Sequence, residues 1–345
     1  MDCRERVLAS VSHRQPDRVP ADLWAEPGVW QRLKKDLGCF TEDDVREKLA
    51  IDVRYVSPRY PADTFAGGVR QNMWGERWEK TSTVYGVEWE HTRGVLFDAQ
   101  GVADLEAFPW PTCDQVDYSH VAEDVKRADG HAIFYGNADY FERPGLVRGL
   151  ENILVDVLLN QDMVDYLQER FVSFFIEDFY RTMEASGRRI DVWWALTDLG
   201  TQERLLMGQD TMERYIFAPL RKMAAVVHRE GVKVMFHSCG AVREVIPQLI
   251  DCGVDILNPL QPAAKGMEPA GLKKDFGARI AFHGGIDIQY LLPHDGPETV
   301  AAEARRIAGI LGRDGGYVLS PSHNIQLDTS TANILAMYRP QAREI

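Results

Sequence analysis

The sequence predicts an α/β fold, a (β/α)8 TIM barrel, and three observations lead there. Eight short runs rich in β-branched and aromatic residues recur along the chain. Helix-period segments separate most of them, which is the pattern of repeated βαβ units. No Gly-rich phosphate loop follows the first run, which sets aside an open doubly wound sheet. The runs are RVPADLW (18–24), DVRYVS (52–57), HAIFYG (131–136), IDVWWAL (190–196), VKVMFH (232–237), VDILNP (254–259), RIAFHG (279–284) and GYVLS (316–320). The intervening segments 208–230, 241–251 and 297–312 carry the apolar spacing of helices that lay one face on a sheet. Within IDVWWAL, Trp193 and Trp194 are adjacent, so one is expected to face the barrel interior and the other the helices.

One region breaks the alternation. Residues 60–112 are rich in Trp, Gly and Thr, and GGVRQNMWGERWEKTSTVYGVEWEH alternates as a hairpin does. It reads as a Trp-rich β-hairpin insertion after the second strand, near the barrel mouth. Trp74, Trp78 and Trp89 would cluster on it, and PWP at 109–111 would close it. The 345 residues are read as one domain, 1–345, since barrels of this length are common as single units.

Composition narrows the function. The chain is 45% hydrophobic and 26% charged with a net charge of -13. That balance lacks the basic footprint of nucleic-acid binding and disfavours anionic membranes. The opening MDCRERVLASVSHRQPDR has no apolar core of a signal peptide, and no run reaches transmembrane length. Arg14 and Arg18 there read as solvated charge. Cys3, Cys39, Cys113, Cys239 and Cys252 are few, odd in number and scattered, which points to free thiols and a cytoplasmic, reducing compartment.

A barrel places its chemistry at the C-terminal ends of the strands. Trp24 and Glu26 follow the first run, and Asn137, Asp139 and Tyr140 the third. Asp198 follows the fourth, His237 and Cys239 end the fifth, and Asn258 and Gln261 the sixth. His283 and Asp287 end the seventh, and Ser322, His323 and Asn324 the eighth. His237 and Cys239 stand two apart on an extended segment, so both aim to one side. Imidazole plus thiolate is a zinc-favouring pair, and Gly240 lets the chain turn away at once. The third ligand is expected from His323, with His283 as the second choice. Three protein ligands and one open position make a catalytic arrangement. Plainer alternatives stand beside this. The pair could be a packed Cys and a hydrogen-bonded His, Asp198 a helix cap, and Asp287 in GGID a turn residue.

Long stretches resemble the uroporphyrinogen decarboxylase superfamily. They are RERVLASVSHRQPDRVPADLW (4–24), RGLENILVDVLLNQ (148–161), DLGTQERLLM (198–207), FHSCGAVREVIPQLIDCGVDILNPLQP (236–262), FGARIAFHGGIDIQYLLP (276–293) and GGYVLSPSHNIQLDTSTANILAMY (315–338). The resemblance implies a (β/α)8 barrel and one of two chemistries. One is metal-free decarboxylation of a tetrapyrrole's acetate arms, whose enzymes carry a basic Arg-Gln-Ala-Gly-Arg loop after the first strand. This chain has Leu-Trp-Ala-Glu-Pro-Gly at 23–28 instead. The other is zinc-dependent methyl transfer to or from a corrinoid, whose enzymes carry a His-x-Cys pair and a distant Cys. His237 and Cys239 match the pair, and His323 falls on the distant Cys.

The resemblance therefore implies zinc held by His237, Cys239 and His323, with Asp198 or Glu151 in the fourth place when substrate is absent. Asp198 and Asp287 would position substrate or tune the ligands. Trp24, Glu26, Tyr140, Glu151, Asn258, His283 and Asn324 would surround it. The implied partners are a small methylated molecule of methoxy, methylamine or thiol type and a separate corrinoid (cobalamin) protein. A homodimer is the default oligomer. A decarboxylase-like, metal-free lyase is the alternative.

Overall fold

The computed structural model describes residues 1–83 and 86–339. Its strands in chain order are β1 (Val53–Tyr55), β2 (Thr64–Ala66), β3 (Val69–Gln71), β4 (Arg77–Thr83), β5 (Gly86–His91), β6 (Ala132–Asp139), β7 (Val192–Leu196), β8 (Lys233–His237), β9 (Ile256–Leu260), β10 (Ala281–Ile286) and β11 (Tyr317–Pro321). Seven of them form one sheet in the order β1-β6-β7-β8-β9-β10-β11, and every neighbouring pair is parallel. Parallel neighbours need a crossover, and helices supply it. Gln161–Ala185 lies between β6 and β7, Ala218–Arg229 between β7 and β8, and Pro297–Leu311 between β10 and β11.

The sheet curls, and its side chains alternate between the two faces. Val53, Ala132, Val192, Met235, Ile256, Ala281 and Val318 form one apolar cluster inside the curl, joined by Val7 and Val11 of the N-terminal helix Cys3–Val11. One residue further on, Ile133, Trp193, Phe236, Leu257, Phe282 and Leu319 enter the outer core under the helices. Trp194 packs with the inner cluster and Trp193 with the outer one, as period-2 alternation requires. Two residues beyond the inner apolar layer, the same face carries Tyr55, Phe134, Trp194, His237, Asn258 and His283. The interior thus turns polar at one level, and the candidate site begins there.

The run 18–24 differs from its expectation as a regular first strand. It forms the isolated bridge Ala21–Leu319, and Ala25 bridges Ile325 further on. The Leu319 N–H donates to the Pro20 carbonyl at 2.8 Å, and the Asp22 N–H donates to the Leu319 carbonyl at 2.8 Å. On the other side the Asp52 N–H donates to the Ala21 carbonyl at 2.9 Å. The segment therefore links β11 to the residue before β1. Pro20 has no N–H to give a ladder, and the Leu23 N–H is taken by the Asp22 side chain. Arg18 is also not solvated charge. It donates to the buried Asp52 carboxylate at 2.7 and 2.8 Å, beside Arg6 at 2.6 Å.

The Trp-rich segment after β1 is not a single hairpin. It is a four-stranded antiparallel sheet, β2-β3-β4-β5. Its tryptophans do not cluster. Trp74 leaves the sheet and stacks on Phe171, with ring centroids 4.5 Å apart. Trp78 sits beneath the Arg70 guanidinium, and Trp89 packs against Phe65. All five cysteines are free thiols. Among the described residues no helix is long and apolar enough to cross a membrane.

Candidate metal centre

β8 delivers His237 into the curl, and the chain stays extended long enough for Cys239 to follow on the same side. The Cys239 Sγ lies 3.6 Å from the His237 Nε2. His323, two residues past the end of β11, completes a group whose ligand atoms all lie within 4.8 Å of one another. Zn–N bonds of about 2.05 Å and a Zn–S bond of about 2.3 Å in a tetrahedron place neighbouring ligand atoms about 3.5 Å apart. The His–Cys separation already has that value. Two imidazoles and a thiolate are also a zinc-type donor set, so the residues present fit the metal.

The backbone around Cys239 is tied down. Its N–H donates to the Asp198 Oδ1 at 2.8 Å, and the Gly240 N–H donates to the Gln261 Oε1 at 2.8 Å. Gly240 has φ +90°, and a Cβ there would stand 2.3 Å from the Gly200 carbonyl oxygen. Only glycine makes this turn without moving the loop after β7. Burial, followed by the Asp198 carboxylate, pushes the Cys239 thiol up to about 12. Zinc held there would offset that, because thiolate is the ligating form.

Behind the triad runs a chain of hydrogen bonds. The His237 Nδ1 meets the Asn258 Oδ1 at 2.6 Å, and the Asn258 Nδ2 meets the His283 Nδ1 at 2.6 Å. The His283 Nε2 lies 2.9 Å from the Asp22 Oδ2, which also accepts from the Tyr55 hydroxyl at 2.6 Å. The Trp24 Nε1–H donates to that hydroxyl at 2.6 Å. The network assigns every proton once Asp22 is a carboxylate. Asp22 only accepts, so the His283 Nε2 carries a hydrogen and its Nδ1 accepts from the Asn258 amide. The amide oxygen then faces His237, whose Nδ1 must donate. The His237 Nε2 is left with its lone pair aimed at Cys239 and His323.

The electrostatics agree with these forms. Burial would raise Asp22, but hydrogen bonds from His283, Tyr55 and the Leu23 N–H outweigh it and hold its carboxyl below the usual value. Burial pushes the His237 imidazole down to about 4, which keeps it neutral and able to ligate. The Trp24 ring stacks on His237 at a centroid distance of 5.7 Å and an interplanar angle of 14°.

The other sequence-predicted residues divide into those near the triad and those away from it. The Asp198 Oδ1 is 3.9 Å from the His237 Nε2 and also accepts from the Cys239 N–H. Asn258 and His283 are both fully buried and belong to the hydrogen-bond chain behind His237. His283, the second choice for third ligand, has both ring nitrogens engaged there. Asp287 borders a cavity with Cys239 and His323, but its carboxylate accepts from the N–H groups of Gln289, Tyr290 and Leu291 at 3.0, 2.9 and 3.0 Å. That is turn chemistry, and it occupies the group expected to act in catalysis.

Tyr140 points away from the site. It is fully buried, and its hydroxyl donates to the Ile216 carbonyl at 3.1 Å. Glu151 is exposed on the helix Leu150–Leu159, and the carboxylate that stands in the wall with Asp198 is Glu142. Glu26 opens the helix Pro27–Leu37, and its N–H donates to the Ile325 carbonyl at 3.0 Å. Asn324 is half-buried beside His323. Sequence reasoning placed Gln261 on the rim after the sixth run, where it accepts from the Gly240 N–H, and missed Asp22 and Glu142. Asp22 had a signal, an acid inside an otherwise apolar run, PADLW. Glu142 had none beyond its place after a strand.

Comparison with known proteins agrees with this architecture. Residues 148–340 match the family described as Uroporphyrinogen decarboxylase (URO-D). A uroporphyrinogen decarboxylase from Anaeromyxobacter sp. (strain Fw109-5) is 29% identical over 127 residues, 36% of this chain and 34% of that protein. The match thus spans about a third of that curated relative's length. Among solved structures, a methyltransferase from Methanosarcina mazei superposes with a TM-score of 0.72 at 17% identity, covering 99% of this chain and 98% of that one. At that identity the likeness is one of fold.

Proposed function

The chain belongs to the uroporphyrinogen decarboxylase family, and from that premise we propose that it is a zinc-dependent methyltransferase. It moves a methyl group between a small methylated substrate and a corrinoid carried by a separate protein, in a cytoplasmic compartment. The observation that carries the reading is the convergence of His237, Cys239 and His323 within 4.8 Å, from the ends of β8 and β11, two strands that the sheet order separates by β9 and β10. Fold likeness to the Methanosarcina mazei methyltransferase supports it.

His237, Cys239 and His323 would hold the metal. Zinc, when bound, supplies Lewis acidity at a substrate heteroatom. The chain's residues do the rest. Asn258, His283 and Asp22 hold the His237 ring and its tautomer. Trp24 covers the ring face and keeps water from it. Asp198, whose Oδ1 accepts from the Cys239 N–H and lies 3.9 Å from the His237 Nε2, would orient the substrate beside the metal. The alternative, decarboxylation of a polycarboxylate, needs cations to bind the acid arms. The two cavities beside the triad have carboxylates in their linings and no Lys or Arg among them.

The test is metal content after anaerobic purification without chelator, for wild type and His323→Ala, followed by methyl transfer to a reduced corrinoid read by its absorbance. About one zinc per chain, reduced in the variant, is expected. A wild type that takes up no zinc even when it is supplied overturns the reading.

A further inference from the structure

Two cavities flank the triad, and they differ in chemistry. One, of about 250 Å³, is walled by Gln202, Gln261, Gln289 and Asp287 together with Cys239 and His323. The other, also about 250 Å³, is walled by Phe141, Leu146, Ile153, Leu154 and Met207. Glu142, Thr197 and Asp198 are the polar members of that second lining. Asp198 joins the second cavity to the metal centre, because its Oδ1 is 3.9 Å from the His237 Nε2. Neither catalysis nor packing has used this apolar cavity so far.

Its rim is unusual for a surface. Leu150, Leu154 and Leu206 line it and are 57%, 46% and 54% exposed. Apolar side chains gathered in this way around a concave site mark a place where something apolar binds. The volume limits what that is. An engineered apolar cavity of about 150 Å³ takes up benzene, so 250 Å³ holds one substituted ring and not two. The charge limits it further. The lining contributes two carboxyl groups and no cation; burial, with Asp139 and Asp198 nearby, pushes Glu142 up to about 7, so an anionic substituent would meet the Asp198 carboxylate, joined by a charged Glu142 above that pH.

We propose that this cavity is the specificity pocket for the substrate, and that it takes an uncharged, single-ring body whose methylated heteroatom points past Asp198 toward the metal centre. The inference rests on the methyltransferase reading for what the heteroatom does, but the pocket's preference for an uncharged ring stands on its own lining. Carboxylated rings of the same size are excluded by charge, not by shape.

The experiment is a fluorine NMR titration of the purified protein, with and without added zinc, using 4-fluoroanisole and 4-fluorobenzoate as probes of matched size. The wild type is expected to bind the ether at least tenfold more tightly than the carboxylate. Leu154→Trp, at a half-exposed position that tolerates a larger side chain, fills the rim and weakens the ether at least tenfold. With the titrations run about one unit above the Glu142 value, where its carboxyl is charged, Glu142→Lys reverses the local charge and brings the two probes to within about threefold. Equal binding of both probes by the wild type, no binding of either, or an unchanged affinity in Leu154→Trp overturns the pocket. Absence of zinc binding together with intact ether selectivity would remove the methyltransferase reading and keep the pocket. Zinc binding without ether selectivity would do the reverse, and leave the apolar rim to a protein partner.

Discussion

Asp22→Asn tests the relay at the end farthest from the metal. The Asp22 Oδ1 accepts from the Leu23 N–H at 2.8 Å, so an amide at this position keeps its oxygen there. Its nitrogen then replaces the Oδ2 that lies 2.9 Å from the His283 Nε2. An N–H now points at that ring nitrogen, and His283 must move its hydrogen to Nδ1. The Asn258 amide must turn its oxygen toward His283 and its nitrogen toward His237. The His237 Nδ1 becomes the acceptor, and the hydrogen passes to Nε2, the atom that faces Cys239 at 3.6 Å. A protonated Nε2 cannot ligate.

Loss of an outer partner of a metal-bound histidine weakens binding about 10- to 100-fold, which corresponds to about 1.4 to 2.7 kcal/mol. The Asp22→Asn variant is expected at the upper end of that range, because it favours the wrong tautomer and does not merely loosen the ring. The assay is zinc competition against a chromophoric chelator, with nitrogen NMR of the apo protein to read the His237 tautomer. Wild-type zinc affinity in Asp22→Asn, with the Nδ1–H form of His237 still present, would refute the relay.

The remaining predictions bear on single residues. Gly240→Ala places a Cβ against the Gly200 carbonyl at φ +90° and should cost about 1–3 kcal/mol of stability, while lowering zinc content by displacing Cys239; urea unfolding and metal analysis read the two effects separately. Asp287→Ala removes the acceptor for three backbone N–H groups and should cost about 1 kcal/mol with zinc affinity unchanged; a large loss of zinc would restore Asp287 to the metal centre. Burial pushes the Asp139 carboxyl up to about 6, and its Oδ1 has no hydrogen-bond partner. Because its folded pKa is raised, the stability that the neutral form contributes is full below pH 4 and is lost as the pH rises through 6. Asp139→Asn should therefore flatten the fall in stability across that window and stabilise the protein at pH 7.5 by on the order of 3 kcal/mol. Parallel stability–pH curves for the two proteins would contradict it.

Much of the sheet was legible in the residues because its signal is local. Runs of β-branched and aromatic residues with helical segments between them located β1 and β6 to β11, and period-2 alternation put one of Trp193 and Trp194 inside and the other outside, the structure assigning Trp194 to the interior. The two-residue spacing of His237 and Cys239 implied that both face one way, since a strand's geometry needs no distant partner to achieve that. The failures are those of non-local decisions. Pro20 and the self-bonded Asp22 kept the first run from becoming a regular strand, although its residues fit one. The tryptophans after β1 went to different partners because Trp74 finds Phe171 nearly a hundred residues away.

The amino-acid order by itself determined the strand pattern, the placing of His237 and Cys239 on one face, and the net charge of -13, which lacks a basic footprint. Tertiary structure alone decided which nitrogen of His237 keeps its lone pair, because that proton is set by Asn258, His283 and Asp22 on three other segments. It also decided that Tyr140 faces the helices and that Glu142, not Glu151, stands beside Asp198. Strand and helix periods act over a few residues and can be read along the chain. The direction of a hydrogen bond and the wall of a cavity depend on which distant segments the packed core brings together.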